Sequence, residues 1–136
     1  MSLEAEVGTQ VGSLTVVFRR EDLVRYAGAS GDFNPIHWSD RKAAELGLPG
    51  VIAHGMLTMG RALRVVTDWC GDPGRVVGYY VRFVKPVVVP DTEDGIAVRF
   101  AGTITKVVDG VASVSIEATC EDVKVLGAAV AEVRLD

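Results

Sequence analysis

The sequence predicts an α+β fold in which a short strand and several helices precede an antiparallel sheet. Three observations support this prediction. Of the 24 valines, 16 follow Arg75, and valine favours strands. One long apolar segment, His54 to Cys70, has helical periodicity. The segments with strand character then follow one another directly, which is the order of an antiparallel meander.

The chain begins with a short strand and a helix. Thr15 to Phe18 has strand character, and apolar residues recur at helical spacing within the following segment, Arg19 to Ala29. Glycine, asparagine and proline crowd positions 28 to 35 and predict an irregular loop. A second short helix is predicted for Asp40 to Leu46, because Gly47 and Pro49 end it.

The segment His54 to Cys70 is the long helix of the prediction. Its polar residues form one narrow stripe, so we expect the helix to be covered on most sides. The stripe consists of Thr58, Arg61, Arg64 and Asp68.

Four strands are predicted after the turn at residues 71 to 74. Pro86 and Pro90 indicate an edge or a bulge in the second half of the first strand. Asp109 and Gly110 predict a tight hairpin with positive φ at both positions. The strands are Arg75 to Val89, Ile96 to Val107, Val111 to Cys120 and Val123 to Leu135.

Composition excludes several classes of function. With 136 residues and no repeat or linker, the chain is predicted to be one domain, residues 1–136. A net charge of −4 disfavours nucleic-acid binding, and we expect no membrane span because the apolar runs are short. Cys70 and Cys120 are isolated and predict neither a zinc site nor a disulfide. The start of the chain lacks the features of a signal peptide, so we expect a cytoplasmic protein.

The most informative stretch contains Asp32 and His37, separated by Asn34 and Pro35. The Asn-Pro turn can bring the carboxylate and the imidazole together, and such a pair can hold a water molecule and move its proton. Neither group is a strong nucleophile here, which favours addition or removal of water. Taken singly, Asp32 also fits an Asx-turn or a helix cap, and His37 a structural histidine.

Gly55 and His54 stand at the start of the long helix. The Gly55 amide is therefore one of the unpaired donors of a helix N-terminus, which can stabilise the oxygen of a thioester as it becomes enolate-like. Glycine also lets a carbonyl approach the backbone closely. The alternative is that Gly55 only permits tight entry into the helix and that His54 caps or packs.

Three stretches together carry a resemblance to a known family. They are Tyr26 to Asp40, with the motif Gly-Asp-Phe-Asn-Pro-Ile-His; Ile52 to Leu57, with His-Gly; and Val81 to Pro90. The chain resembles the MaoC-like family of (R)-specific enoyl hydratases and (3R)-hydroxyacyl dehydratases over nearly its whole length. Within that family, the apolar stretch His54 to Gly60 and the turn Trp69 to Gly74 resemble the catalytic subunit of the actinobacterial type II fatty-acid-synthase dehydratase.

The resemblance implies a hot-dog fold, in which a curved antiparallel sheet wraps a long helix. By motif position it makes Asp32 and His37 the catalytic pair and the Gly55 amide the oxyanion donor. Asn34, Gly31 and His54 would support this site, with no metal and no cofactor. It also implies a dimer joined edge to edge, either a homodimer or a heterodimer with a second hot-dog subunit.

The sequence departs from the family pattern at two places. Leu63 lies near the place where some hydratases carry a serine that contacts the aspartate, which puts the tuning of Asp32 in doubt. Pro90-Asp91 lacks the glycine that usually separates these residues, which we interpret as a turn variant.

The expected activity is the reversible hydration of trans-2-enoyl thioesters to (3R)-3-hydroxyacyl thioesters of CoA or acyl carrier protein (ACP). The alternatives are a hot-dog acyl thioesterase and a non-catalytic acyl-binding partner subunit. Because ACP is acidic, a carrier-protein substrate would require a local basic patch. The candidates are Arg61, Arg64, Arg82 and Lys85.

Overall fold

The structure is a computed structural model that describes residues 2–136, so Met1 of the predicted domain lies outside the described residues. Single-turn 3₁₀ helices lie at Pro35–His37 and Pro73–Arg75. The helices are α1 (Arg20–Ser30), α2 (Asp40–Glu45) and α3 (Gly55–Cys70). The strands are β1 (Gln10–Phe18), β2 (Val76–Phe83), β3 (Ile96–Val108), β4 (Val111–Cys120), β5 (Val123–Lys124) and β6 (Leu126–Arg134).

The strands form one antiparallel sheet in the order β1-β3-β4-β6-β2, with β5 paired to β4. Helix α3 contacts every strand of this order, and its residues Ala62, Val65 and Val66 enter the core. The predicted α+β fold, with a long helix wrapped by an antiparallel sheet, is confirmed. Along the described chain, β1 and β2 are the two edges of the sheet.

The prediction for β4 is confirmed at both ends, because Val111–Cys120 alternates between buried and more exposed residues along its length. The hairpin before it is confirmed as well. Asp109 and Gly110 have φ values of 52° and 75°, so both take the left-handed conformation that a tight two-residue turn needs.

The predicted strand Arg75 to Val89 is wrong beyond Phe83. The amides of Val84 and Lys85 both donate to the Val125 carbonyl, and the ladder cannot resume because Pro86 has no N–H. The predicted strand Val123 to Leu135 is divided into β5 and β6 at Val125, whose amide donates to the Ala118 carbonyl.

The polar stripe predicted for α3 is wrong at Thr58, which is buried. The exposed side of the first turns contains Met56 and Gly60 instead. A threonine was assumed to face water, whereas in the fold Thr58 lines a cavity between α3 and the segment after β2. Among residues 2–136, no helix is long and apolar enough to cross a membrane.

Candidate active site

The loop after α1 is built from consecutive side-chain turns. Gly31 ends α1 with a φ of 76°, and its amide donates to the Ala27 carbonyl. The Asn34 amide donates to Asp32 Oδ1 at 3.1 Å, and the Ile36 amide donates to Asn34 Oδ1 at 3.2 Å. Asp32 therefore forms an Asx-turn, as the structural alternative expected, but this bond uses only one carboxylate oxygen. Oδ2 remains for another partner.

That second oxygen faces His37. Asp32 Oδ2 lies 3.8 Å from His37 Nε2, and Nδ1 of the same ring lies 2.7 Å from the Ile52 carbonyl oxygen. Because a carbonyl can only accept, Nδ1 carries the hydrogen and the neutral ring presents a lone pair at Nε2. The gap exceeds a direct hydrogen bond, but a water molecule can lie about 2.8 Å from both atoms. The structure thus brings together the two residues predicted to act as a pair.

His54 contacts both members of this pair. It is 1% exposed, its ring stacks on His37 with centroids 3.8 Å apart, and its Nε2 lies 3.1 Å from the Asp32 carbonyl oxygen. Nε2 therefore carries the hydrogen, and Nδ1 has no partner among the described residues. Burial lowers the pKa of His54 below its ordinary value. His54 is accordingly a neutral ring that packs behind His37 and donates to the Asp32 backbone.

The lowered pKa of His54 has a consequence for stability. The unfolded chain takes up a proton at His54 near pH 6.5 while the folded chain resists it, so the free energy of unfolding falls as the pH drops below about 6.5. We expect His54→Gln, which cannot be protonated, to reduce this loss between about pH 7.5 and pH 5.5. Urea unfolding across that range measures it, and the wild-type slope contributed by His54 is at most about 1.4 kcal/mol per pH unit. Identical slopes for the two proteins would contradict the assignment.

Asp32, His37 and His54 have ligand atoms within 4.8 Å of one another, which is close enough to raise the alternative of a metal site. The two rings are only 22° from parallel, so their lone pairs point side by side instead of converging. Nε2 of His54 is already bonded to the Asp32 carbonyl. Tetrahedral zinc requires ligand atoms converging to about 3.4 Å from one another. The geometry therefore favours proton transfer over metal binding.

The N-terminus of α3 lies beside His37 and presents free donors. The amides of Leu57 and Thr58 donate to the His54 carbonyl, whereas those of Gly55 and Met56 form no hydrogen bond within residues 2–136. Both free amides are at the positive end of the helix dipole. The Gly55 donor was predicted, and the Met56 donor was missed, although its place in the first helical turn was a usable signal.

A cavity of about 390 Å³ connects His37 with Gly55. Its wall is mainly apolar, and Asp32 lies outside it. The Phe83 ring covers Gly55 so closely that a Cβ there would lie 3.0 Å from Phe83 Cε1. Besides His37 and Gly55, the wall contains Leu48, Ile52, Ala53, Thr58, Phe83, Val84, Lys85, Pro86, Val87, Val125 and Leu126. Apolar cavities of this size accept acyl chains or small ligands.

The four basic candidates differ in their surroundings. Arg61 stacks over Phe18 and pairs with Asp22, and Arg64 pairs with Asp68. Arg82 and Lys85 form no ion pair within residues 2–136, and Lys85 lines the cavity. Of the four candidates, Arg82 and Lys85 are therefore the two without an ion pair among the described residues, and Lys85 is the one in the cavity wall.

Leu63, the first departure from the family pattern, does not line the cavity that His37 lines. It is partly buried, packs against the core and lines a shallow groove with Tyr26 and Met56. The Asp32 carboxylate therefore accepts a backbone amide of its own loop, and among the described residues it has no hydroxyl partner from α3.

Comparison with known proteins places these features in context. Residues 2–120 match a family described as MaoC like domain. The chain is 46% identical over 68 residues to 3-hydroxyacyl-thioester dehydratase X of Mycobacterium tuberculosis, which is 50% of this chain and 23% of that protein. It is 32% identical over 112 residues to the (R)-specific enoyl-CoA hydratase of Rhodospirillum rubrum, which is 82% of this chain and 74% of that enzyme. The chain thus spans less than a quarter of the first relative.

Solved structures share the fold. A structure named MaoC-like dehydratase has a TM-score of 0.93 at 38% identity, over 98% of this chain and 41% of that chain. The HadBC (3R-hydroxyacyl-ACP dehydratase) complex of Mycobacterium tuberculosis has a TM-score of 0.74 at 22% identity, over 96% and 98%. The second likeness shows the fold alone. Both support the predicted hot-dog arrangement.

Proposed function

Since the chain belongs to the MaoC-like domain family, we propose that it is a hydro-lyase that hydrates trans-2-enoyl thioesters and dehydrates (3R)-3-hydroxyacyl thioesters in fatty-acid metabolism. One observation carries the proposal. Asp32 Oδ2 and His37 Nε2 face each other across 3.8 Å, beside an apolar cavity that reaches the free amide of Gly55. A carboxylate and an imidazole so spaced can hold the water that the reaction adds.

The proposed mechanism uses three groups. A water between Asp32 and His37 loses a proton to the pair as its oxygen bonds to C3 of the enoyl thioester. The electrons of the double bond move toward the thioester oxygen, which the amides of Gly55 and Met56 stabilise. The pair then delivers a proton to C2, which completes the hydroxyacyl product. Asp32 and His37 share the water molecule, so the transferred proton is assigned to the pair.

The supporting residues keep the pair in place. The Asn34 side-chain oxygen accepts a hydrogen bond from the Ile36 amide, and the Asn34 backbone amide donates to Asp32 Oδ1. These two bonds define the loop between the two catalytic side chains. Gly31 provides the left-handed residue from which that loop starts. His54 packs on His37 and bonds to the Asp32 backbone. None of these roles requires a metal or a cofactor.

The proposed substrate is an acyl thioester of CoA or ACP. The acyl part would enter the apolar cavity, and Lys85 with Arg82 would face the phosphate of the carrier arm. Neither side chain forms an ion pair within the described part of the chain, residues 2–136, and Lys85 lies in the cavity wall. An acidic carrier protein would meet the same two residues.

The proposed assembly is a dimer with a second hot-dog subunit, either another copy or a related chain. Strand β2 is an edge of the sheet in the described chain, and Val77, Tyr80 and Phe83 expose about half of their side chains along it. An apolar edge strand that remains unpaired invites pairing with another strand. The HadBC complex has the same fold as this chain and contains two kinds of subunit.

We expect the purified chain to remove the enoyl absorbance of crotonyl thioesters and of longer enoyl thioesters. The assay compares CoA and ACP thioesters over a range of chain lengths, since the cavity and the basic side chains face different parts of the substrate. Activity on only one kind of thioester would identify CoA or ACP as the carrier of the substrate. Inactivity of the chain alone, reversed by a second hot-dog subunit, would support a heterodimer. Inactivity with and without such a subunit would reject the hydro-lyase proposal.

A thioesterase is the second candidate, because it would use the same helix N-terminus and acid/base pair. Its product is a free thiol, which a thiol reagent detects in the same reaction mixture. Release of thiol without loss of the hydratable double bond would favour the thioesterase. Absence of both activities would favour a non-catalytic acyl-binding subunit.

A further inference from the structure

An ion pair outside the candidate site connects two helices near His37. Arg20 Nη2 donates to both carboxylate oxygens of Asp40, at 2.8 Å and 3.1 Å, and Arg20 Nε donates to the Val89 carbonyl. Arg20 is the first residue of α1 and Asp40 the first residue of α2. The guanidinium therefore connects both helices to the segment that follows β2.

Asp40 also binds a buried backbone amide. Its Oδ1 accepts the amide hydrogen of Val51 at 3.0 Å, and the Val51 side chain is completely buried. The Val51 amide and the Arg20 guanidinium lower the pKa of Asp40 below its ordinary value. The carboxylate is therefore ionised at neutral pH and holds the start of segment 51–53 from one side.

The opposite side of segment 51–53 is held by the chain after β2 and by the loop that contains His37. The Val51 carbonyl accepts the Val89 amide at 2.9 Å, and the Ile52 amide donates to the Ile36 carbonyl at 3.1 Å. The next carbonyl in the chain is that of Ile52, which accepts the hydrogen of His37 Nδ1. One peptide unit therefore separates the Val51 amide, which Asp40 binds, from the Ile52 carbonyl, which orients the His37 ring.

We propose that Arg20 and Asp40 are positioning residues for His37. They hold residues 51 and 52 so that the Ile52 carbonyl keeps the hydrogen of the His37 ring on Nδ1 and turns Nε2 toward Asp32. Neither residue touches the cavity that His37 lines. The kinetic consequence rests on the proposed function, whereas the orientation and tautomer of His37 do not.

A positioning role differs from a stabilising one in its measurable effects. The ion pair itself should add little to stability, because the Asp40 side chain is 59% exposed, whereas loss of the acceptor of the buried Val51 amide should lower the melting temperature. Misplacing a catalytic group slightly, by contrast, lowers the rate by up to about 100-fold. A large loss of rate in a variant that is still fully folded at the assay temperature therefore indicates positioning.

The test is Asp40→Ala in the full chain, with its dimer partner if one is needed. We expect kcat to fall about 10- to 100-fold while KM stays within about twofold. The matched control is Glu45→Gln, which removes the Arg41–Glu45 ion pair of the same helix α2, at 3.1 Å, and should retain the wild-type kcat. Asp40→Ala should melt at a lower temperature than Glu45→Gln, because it leaves the buried Val51 amide without its acceptor, so the rates of both variants are compared at a temperature where each is fully folded.

A spectroscopic measurement completes the test without any substrate. The chain has only two histidines, so His54→Gln identifies the His37 signals, and ring-nitrogen NMR shifts report which nitrogen carries the hydrogen. We expect Nδ1–H in the wild type and a rise of the Nε2–H form in Asp40→Ala. Asp40→Asn keeps an acceptor for the Val51 amide but loses the charge, so it should give an intermediate result and serves if Asp40→Ala does not fold.

The possible outcomes distinguish the positioning role of Asp40 from the proposed hydro-lyase function. An unchanged His37 tautomer overturns the positioning role, even if kcat has fallen, since a general loss of structure would then be the cause. A wild-type kcat in Asp40→Ala also overturns it, while the proposed function stands. If the wild type turns over no thioester, the proposed function fails, and the tautomer alone decides the positioning role.

Discussion

Replacing Asp32 by asparagine is expected to lower the hydration rate by roughly 10²- to 10⁴-fold, the contribution of a positioned acid or base. The fold should be retained, because the asparagine oxygen can still accept the Asn34 amide in the same Asx-turn. What is lost is the charge on the oxygen that faces His37. Steady-state rates with an enoyl thioester, together with the melting temperature, measure the effect.

Asp72→Asn is the matched control for this prediction. Asp72 also forms an Asx-turn, with the Gly74 amide at 2.8 Å, at the far end of α3. The same chemical change there should leave the rate unchanged. The double variant Asp32→Asn with His37→Ala should be scarcely slower than either single variant, because the pair acts as a unit. Wild-type rates for both single variants would show that the chemistry lies elsewhere.

Gly55→Ala is expected to have the second largest effect. A Cβ at this position would lie 3.0 to 3.2 Å from three atoms of the Phe83 ring, so the ring must shift and the added methyl narrows the approach to the Gly55 amide. We expect kcat to fall about 10- to 100-fold, which approaches the loss of one oxyanion donor. Stability should be retained, because Phe83 is half-exposed and can move.

Gly60→Ala in the same helix provides the control. A Cβ at Gly60 meets no atom of the described residues within 4 Å, so this variant should keep the wild-type rate and gain about 0.5–1 kcal/mol of stability. Equal rates for Gly55→Ala and wild type would place the thioester oxygen away from the α3 N-terminus. Loss of rate in both variants would indicate an effect on the helix as a whole.

Local patterns predicted much of the fold. Strand β4 was predicted at both ends because one face of Val111–Cys120 is apolar along its whole length. The long helix was predicted because its polar residues recur at helical spacing, although His54 is its cap and Thr58 of the polar stripe is buried. The prediction failed beyond Phe83, where the strand ends because two amides share the Val125 carbonyl, a contact that no local pattern encodes.

The candidate site likewise combines local features that the sequence predicted with long-range contacts that it did not predict. The motif around Asp32 and His37 is a local signal, since the Asx-turns that shape the loop join residues two apart. The stacking of His54 on His37, the Phe83 ring over Gly55 and the Arg20–Asp40 pair join residues that are distant along the chain. Hydrogen bonds and packing between distant segments have no periodicity that a sequence displays.

The sequence by itself therefore determined the class of fold, the family resemblance and the residues proposed for chemistry, because spacing and side-chain type are written in short segments. Only the tertiary structure decided which oxygen of Asp32 faces His37, which nitrogen of His37 carries the hydrogen, and which amides of α3 are free. These features depend on the orientation of individual bonds. That orientation is set where the Ile52 carbonyl, the buried His54 ring and the N-terminus of α3 pack together.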